Sequence, residues 1–251
     1  MSRHRRQFFV EAAEVDQGRV TIHGPSARHI TTVLRLGRGD FIHLVVEGEG
    51  TYEVCITKAS PAAVDCVLIS PGQWEKSPRV GMVLAQAVPK GSAMDSIIRR
   101  ATELGAGAVV PIQAERSVSL LKGNRGLQKL ERWRRTARQA AQQSSRLTVP
   151  RIEPVQSLSR FLQGSAQADV KIMLHQEEKA MGLSRVLSGI KGAEKANLLV
   201  GPEGGFTPRE VEEAREDGYS VVSLGARILR TETASLALLS ILMYEMGEME
   251  P

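Results

Sequence analysis

Aromatic side chains are scarce, at 4% of 251 residues, so stacking of bases on an aromatic platform is not the main binding mode here. Cysteine is nearly absent. Cys55 and Cys66 fall in strand-like runs, Tyr52-Glu-Val-Cys-Ile-Thr57 and Val64-Asp-Cys-Val-Leu-Ile69, and two thiols in so long a chain make no disulfide framework. They are expected to be reduced core residues. The five histidines, His4, His23, His29, His43 and His175, are scattered, and none is paired with a cysteine at metal-ligand spacing. The chain has no G-x-S-x-G elbow, no Walker A sequence and no G-x-G-x-x-G. It has no run of about 18 apolar residues for a membrane span. Ser2-Arg-His-Arg-Arg6 is followed by no apolar stretch of signal-peptide length, so the expected compartment is the cytoplasm. These absences favour chemistry that rests on positioning and a bound cosubstrate, with no metal.

What is present is ordinary for a globular protein, 42% apolar and 24% charged residues. The length suits one large domain or two ordinary ones. The charge balance is modestly basic, 33 Lys and Arg against 28 Asp and Glu, and it is unevenly spread. Arg3, Arg5 and Arg6 crowd the N-terminus, Arg28, Arg35 and Arg38 fall close together, and seven basic residues lie between Lys122 and Arg138. A helix face in solvent explains the third cluster alone, with Glu131 paired to Arg135 at i,i+4. Three clusters together point to a phosphate-rich partner.

Residues 1 to about 70 read as short strands at Gln7 to Val10, Gly18 to His23, Phe41 to Val46, Thr51 to Thr57 and Ala63 to Ile69, mostly separated by glycine or proline turns. A short helix is expected over Ser26 to Leu36, with Ile30, Val33 and Leu34 on one side. This pattern suggests a small barrel. Ser70-Pro-Gly-Gln-Trp-Glu-Lys-Ser-Pro-Arg79 breaks both periodicities and reads as a linker, placing one domain at 1–74 and the next at 75–251.

Beyond it strands and helices alternate, the pattern of an α/β domain with a parallel sheet. Val80 to Val88 is a continuous apolar strand. Ser92 is expected to cap a helix with Asp95 in a capping box, Ile97, Ile98, Ala101 and Leu104 inward, and Gly105 as its stop. Ala108 to Ile112, Val170 to His175, Ala196 to Val200 and Tyr219 to Leu224 are strands. A long helix over Arg125 to Arg146 carries the stripe Leu130, Trp133, Ala137 and Ala141, and a short one covers Leu183 to Ile190. Thr207, Pro208 and Glu210 are three agreeing helix-start signals. The last helix, about Thr233 to Gly247, is apolar almost all round and needs cover from its own core or from a second subunit.

Two glycine-rich loops follow strands of this domain, where open α/β sheets bind ligands. One is Gly201-Pro-Glu-Gly-Gly-Phe206, the other Leu224-Gly-Ala-Arg-Ile-Leu-Arg-Thr-Glu-Thr-Ala234. Glycine lets backbone groups approach a ligand closely. The Glu203 carboxylate disfavours phosphate and favours a hydroxyl, amine or cationic group. Ile228 and Leu229 between Arg227 and Arg230 suit a flat ring packed against polar backbone. Taken singly, the first reads as a tight strand–helix turn that needs glycine only for its dihedrals, and the second also reads as a surface loop with solvated charges.

These two motifs, with Gln86-Ala-x-Pro-Lys-Gly91, Met94-Asp-x-Ile-Ile98, Ala101-Thr-Glu-Leu-Gly105 and Glu115-Arg-Ser-Val118, resemble the RsmE-type ribosomal RNA methyltransferases of the SPOUT superfamily. At the N-terminus Arg28-His29, Val33-Leu-Arg35 and Gly39-Asp40 resemble that family's PUA-like RNA-binding barrel. The resemblance implies S-adenosylmethionine-dependent methylation of uridine N3 in 16S ribosomal RNA, free or in the small subunit. It also implies a homodimer and a trefoil-knotted second domain. It places the cosubstrate at Leu174, His175, Leu199, Gly201, Pro202, Glu203, Gly204, Leu224, Gly225, Ile228 and Leu229. Arg230, Glu232 and Arg116 are then the catalytic candidates, and Arg6, Arg28, Arg35 and Lys90 the RNA contacts. The alternatives are another SPOUT enzyme, acting on a ribose oxygen or a transfer RNA base, and a non-catalytic RNA-binding assembly factor. One departure is Gln142-Gln-Ser-Ser-Arg146, where the family usually has glycine in place of Ser145.

Overall fold

The computed structural model describes residues 7–10, 15–46, 50–71, 80–117, 123–178 and 181–249. It divides into two compact units, residues 1–77 with 141–148, and 78–140 with 149–251. The expected boundary at 74/75 and Arg3, Arg5 and Arg6 lie outside the described residues.

The first unit is a six-stranded sheet. Its elements are β1 (Gln7–Val10), β2 (Val15–Asp16), β3 (Arg19–His23), α1 (Gly24–Arg28), β4 (Phe41–Val46), β5 (Gly50–Ala59) and β6 (Ala63–Pro71). The order is β1-β4-β5-β6-β3-β2; β1 pairs parallel to β4 and all other neighbours are antiparallel. Alternation along the strands sends Val20, Ile22, Ile42, Leu44, Val54 and Ile56 into one core.

The helical segment differs from the expected 3.6-residue pattern. Helix α1 starts at Gly24, two residues before Ser26, with Pro25 in its first turn, and the chain then widens into a π-helical turn, His29–Val33. There Leu34 N–H donates to His29 O at 2.9 Å, five residues back. The extra residue in the turn keeps Ile30 buried but turns Val33 outward, 66% exposed, so Val33 does not share the inward face. Arg35, at φ 55, ends the segment in the left-handed region.

Cys55 and Cys66 are free thiols on adjacent strands. Burial, with Asp65 and Cys55 nearby, pushes the Cys66 thiol up to about 12.

The second unit contains β7 (Gly81–Ala87), α2 (Ala93–Glu103), β8 (Ala108–Gln113), α3 (Gly123–Gln143), β9 (Arg151–Ile152), β10 (Gln156–Ser157) and α4 (Leu158–Gly164). It continues with β11 (Val170–Leu174), α5 (Leu183–Leu187), β12 (Lys195–Val200), α6 (Pro208–Glu216), β13 (Ser220–Val222) and α7 (Thr231–Glu245). The sheet order is β10-β8-β7-β12-β11-β13, with β9 also on β8, and every pairing is parallel. The register sets Gln86 beside Val200, and Leu174 beside both Val200 and Val222, so four strands end level at their carboxyl ends. Two cores flank the sheet. One centres on Leu84, Ile97, Ile98, Trp133, Leu198 and Leu238, the other on Ala85, Ile112, Phe161, Leu199 and Phe206.

The helix ends show which start signals operate. At α6 the capping box is complete: Glu210 N–H donates to Thr207 Oγ1 at 3.3 Å, and Thr207 N–H to Glu210 Oε2 at 2.8 Å. The other oxygen of Glu210 accepts from Glu115 N–H at 2.9 Å, so this buried carboxylate also ties down the loop after β8. At α2 the expected box is not formed. Ser92 makes no side-chain cap, and the Asp95 carboxylate turns to Arg132, 2.8 Å away. A nearby full charge outcompetes a neutral amide for a carboxylate. Gly105 stops the helix at φ 105, and a Cβ there would lie 2.3 Å from Met243 Cε of α7.

Helix α7 is covered mainly by its own unit, with Ser235, Leu238, Leu239, Leu242 and Met243 buried. Leu236, Ala237 and Ser240 are half-buried and Tyr244 is exposed, along one stripe. Helix α3 buries Leu130, Trp133, Ala137 and Ala141 as its stripe requires. It ends at Gln143 rather than Arg146: Ser145 adopts φ 59, and Arg146 N–H donates back to Ala141 O at 3.0 Å. No helix among the described residues is long and apolar enough to cross a membrane.

Candidate functional site

A cavity of about 550 Å³ opens where β7, β11, β12 and β13 end, within the second unit. That volume suits a small organic ligand. The place follows from topology: β7 and β12 are sheet neighbours whose connections leave to opposite sides, and the loops beyond their carboxyl ends must part. Apolar strand ends, Leu174, Val200 and Val222, form the inner wall.

The turn after β12 supplies Gly201, Pro202, Glu203 and Gly205. A Cβ on Gly201 would sit 3.2 Å from two ring carbons of Phe206, which is buried, so glycine is needed for close packing at this point. Glu203 Oε1 accepts from the backbone N–H of Lys90 at 2.9 Å. One carboxylate therefore holds the loop after β7 against the turn after β12, and both Lys90 and Glu203 line the cavity.

The stretch after β13 forms the other side. Leu224, Gly225, Arg227, Ile228, Leu229, Arg230 and Glu232 all line the cavity. Gly225 takes φ 93, which a side chain rarely tolerates. Ile228 is 82% exposed, a large apolar side chain held at the rim. His175 continues β11, its N–H donating to Val222 O at 3.0 Å. Its Nδ1 is buried without a hydrogen-bond partner among the described residues, and its Nε2 is 3.9 Å from Glu177.

Beneath the loops lies a buried polar network. Gln86 Nε2 donates to Thr231 Oγ1 at 3.0 Å and to Ala87 O at 2.8 Å. Thr231 Oγ1 donates to Gly201 O at 2.6 Å, and Ser235 Oγ donates to Gln86 Oε1. Sequence reasoning gave none of the three a role, although Gln86 and Thr231 fall inside the quoted motifs. The available signal was one amide in the otherwise apolar strand Val80 to Val88, since a buried polar group must find partners.

The structure thus brings Leu174, His175, Gly201, Pro202, Glu203, Leu224, Gly225, Ile228, Leu229, Arg230, Glu232 and Lys90 to one cavity. It does not bring Leu199 there: strand alternation sends that side chain to the opposite core, with Phe206. Gly204 and Arg116 also stand outside the wall. Arg116 donates to Gly204 O at 2.9 Å and to Phe206 O at 3.5 Å, bracing the turn. Arg28 and Arg35 belong to the first unit, and Arg6 lies outside the described residues. Among the described residues no group of three or more His, Cys, Asp or Glu is placed to hold a metal ion.

The wall combines apolar strand ends, close backbone, two carboxylates and three cations, Lys90, Arg227 and Arg230, near the opening. It suits a flat, partly polar molecule carrying positive charge, with a second, anionic reactant at the mouth.

Residues 75–243 match the family model of an RNA methyltransferase domain. The chain is 35% identical over 233 residues to the ribosomal RNA small subunit methyltransferase E of Bacillus subtilis, covering 90% of each chain. It is 32% identical to that of Synechocystis, over 91% of this chain and 74% of the relative. Among solved structures it is similar to the ribosomal RNA small subunit methyltransferase E of Neisseria gonorrhoeae bound to S-adenosyl methionine. That match has a TM-score of 0.85 and 27% identity, over 98% of this chain and 100% of the other.

Proposed function

The chain belongs to the RNA methyltransferase family, among the ribosomal RNA small subunit methyltransferase E proteins, and from this we propose that it methylates N3 of one uridine in 16S ribosomal RNA, with S-adenosylmethionine as donor. The observation that carries the reading is the convergence of the two glycine motifs on a single cavity at the sheet's carboxyl edge.

The residues present fit the donor. Gly201 and Gly225 open backbone to a ligand, Leu174, Val200, Val222 and Leu229 give an apolar bed for an adenine, and Glu203 and Glu232 favour a cationic guest. When bound, the donor supplies a methyl already activated by its sulfonium. The protein has two tasks, to hold uracil N3 in line with that methyl and to help its proton leave. Alignment supplies several kcal/mol. Arg230, exposed at the mouth, is placed to stabilise the negative charge developing on the uracil. Glu232, one helical residue into α7, accepts the N3 proton in this reading. The N3–H bond breaks, the N3–methyl bond forms, and the sulfur keeps the electron pair of its broken bond.

Arg116 acts at a distance as the brace of the Gly204 turn rather than on the base. Arg6, Arg28 and Arg35 hold phosphates from the first unit, which we read as a PUA-like RNA-binding barrel, and the second unit as the trefoil-knotted SPOUT domain. A homodimer packed on the half-buried stripe of α7 completes the reading, with the cytoplasm as its place of work.

The test is mass spectrometry of 16S ribosomal RNA from cells with and without the gene, followed by incubation of the deficient subunits with purified protein and donor. One methyl should be missing from a uridine and return on incubation. Identical spectra from the two strains would remove the proposed activity.

A further inference from the structure

Helix α3 carries six basic residues, Arg125, Lys129, Arg132, Arg134, Arg135 and Arg138, against one acidic residue, Glu131. Its net charge of +5 equals that of the whole chain, so outside this helix acids and bases balance. A helix face that only meets solvent usually mixes signs at i,i+4 spacing. This one does not. Glu131 pairs with Arg134 at 3.3 Å, not with Arg135. Arg125, Lys129 and Arg135 have no ion-pair partner among the described residues.

The helix is also anchored in a telling place. Arg132 meets Asp95 at 2.8 Å, which sets the middle of α3 against the first turn of α2. That turn begins at Ala93, a residue of the cavity wall, just after Lys90, which lines the same cavity. The basic face therefore passes, at its middle, beside the turn that carries Lys90 and Ala93 of the cavity wall. Arg125 to Arg138 spans about 20 Å at the helical rise, enough to follow several nucleotides of a strand. The helix's one aromatic residue, Trp133, is 2% exposed, so the face offers cations and no stacking platform.

We infer that the exposed face of α3 is a track for the RNA backbone flanking the target uridine, built into the methyltransferase unit itself. It rests on the methyltransferase reading above. Its contacts are to phosphate, so it fixes the strand's position without reading its sequence. The cations at the mouth, Arg230 among them, then meet a base whose neighbours are already held.

The test uses the full chain with Arg125→Ala, Lys129→Ala and Arg135→Ala combined, alanine being the best helix former. None of the three lines the cavity. A control removes three exposed cations elsewhere in the unit, Arg185→Ala, Lys191→Ala and Lys195→Ala. Affinity for a 16S ribosomal RNA fragment is measured against salt, donor affinity by calorimetry, and methylation against RNA concentration. The α3 variant should bind RNA at least tenfold more weakly, with the salt slope reduced by about 2, roughly 0.7 per lost phosphate contact to a single strand. Its donor affinity should be unchanged, and its KM for RNA should rise while kcat holds. Wild-type affinity and slope in this variant, or an equal loss in the control, would overturn the track. Wild-type protein that binds RNA but methylates none would overturn the functional reading instead.

Discussion

Gln86 Nε2 donates to Thr231 Oγ1 at 3.0 Å, joining the second-last position of an inner strand to the first residue of the last helix. Gly201 O hangs from the same hydroxyl at 2.6 Å. The cavity wall is thus set by a side chain that does not itself line the cavity. Gln86→Leu removes two side-chain bonds of the network, the amide donated to Thr231 Oγ1 and the acceptor of Ser235 Oγ, while both hydroxyls keep a backbone acceptor, Gly201 O and Thr231 O. Each bond lost costs about 0.5–1.5 kcal/mol. The variant should unfold at lower urea and bind S-adenosylmethionine at least tenfold more weakly by calorimetry. Wild-type values for both would show that the network is idle.

Arg230 stands at the mouth, exposed, with its backbone preceding α7. Arg230→Ala should slow methyl transfer at least a hundredfold while donor affinity stays within about threefold, the pattern of a group used mainly in the transition state. Single-turnover kinetics beside calorimetry separate the two effects. Unchanged turnover would remove Arg230 from the mechanism.

Two of the turn's three glycines, Gly201 and Gly204, should part company. Gly201→Val must push the buried Phe206 ring from 3.2 Å, and donor binding should fall at least tenfold. At Gly204 a Cβ meets the Arg116 side chain at 3.4 Å, ordinary contact with a flexible neighbour, so Gly204→Ala should bind within about threefold of wild type. Calorimetry on the pair decides it; equal losses would place the ligand elsewhere on the turn.

Ser145 occupies the left-handed position that ends α3, at φ 59. The family's glycine meets no steric penalty there, whereas serine does. Ser145→Gly should raise the unfolding free energy by about 0.5–1 kcal/mol, the usual span for relieving such a position. Urea denaturation measures it, and a lower midpoint would contradict the strain.

Burial holds the Cys66 thiol and the Tyr219 hydroxyl up near about 12, from 9.0 and 10.0. Both are raised, so their contribution to stability is whole below pH 9 and declines as pH climbs from about 9 towards 12. The melting temperature should drop steadily from pH 9 to 11. Cys66→Ser should flatten the earlier part of that drop; an unaltered profile would assign it to other groups.

Much of this was open to sequence reasoning because it is local. The box at Thr207 and Glu210, the stop at Gly105 and the stripe of α3 depend on residues within a few positions of each other. The two site loops were legible because glycine, charge and a strand end coincide. The rest depends on distant partners. Asp95 left its expected cap for Arg132, 37 positions on, a choice that no local pattern records. Gln86 sits in a strand read as continuously apolar, and its partners Thr231 and Ser235 lie 145 and 149 positions on. The π-helical turn at His29 broke the assumed period, which misplaced Val33. Elements of two residues, β9 and β10, have too few positions for any periodicity to show, and the membership of residues 141–148 in the first unit is likewise a long-range fact.

The parallel sheet has a consequence in time. One neighbour of β7 is β8, but its other is β12, paired from Gly81 with Lys195. A ribosome adding roughly 5–20 residues per second leaves that flank of β7 without its partner for roughly 6–23 s, while the chain from 81 to 195 is made. Throughout that interval an apolar strand edge waits in the nascent chain, and the unit can close only near the end of its own synthesis.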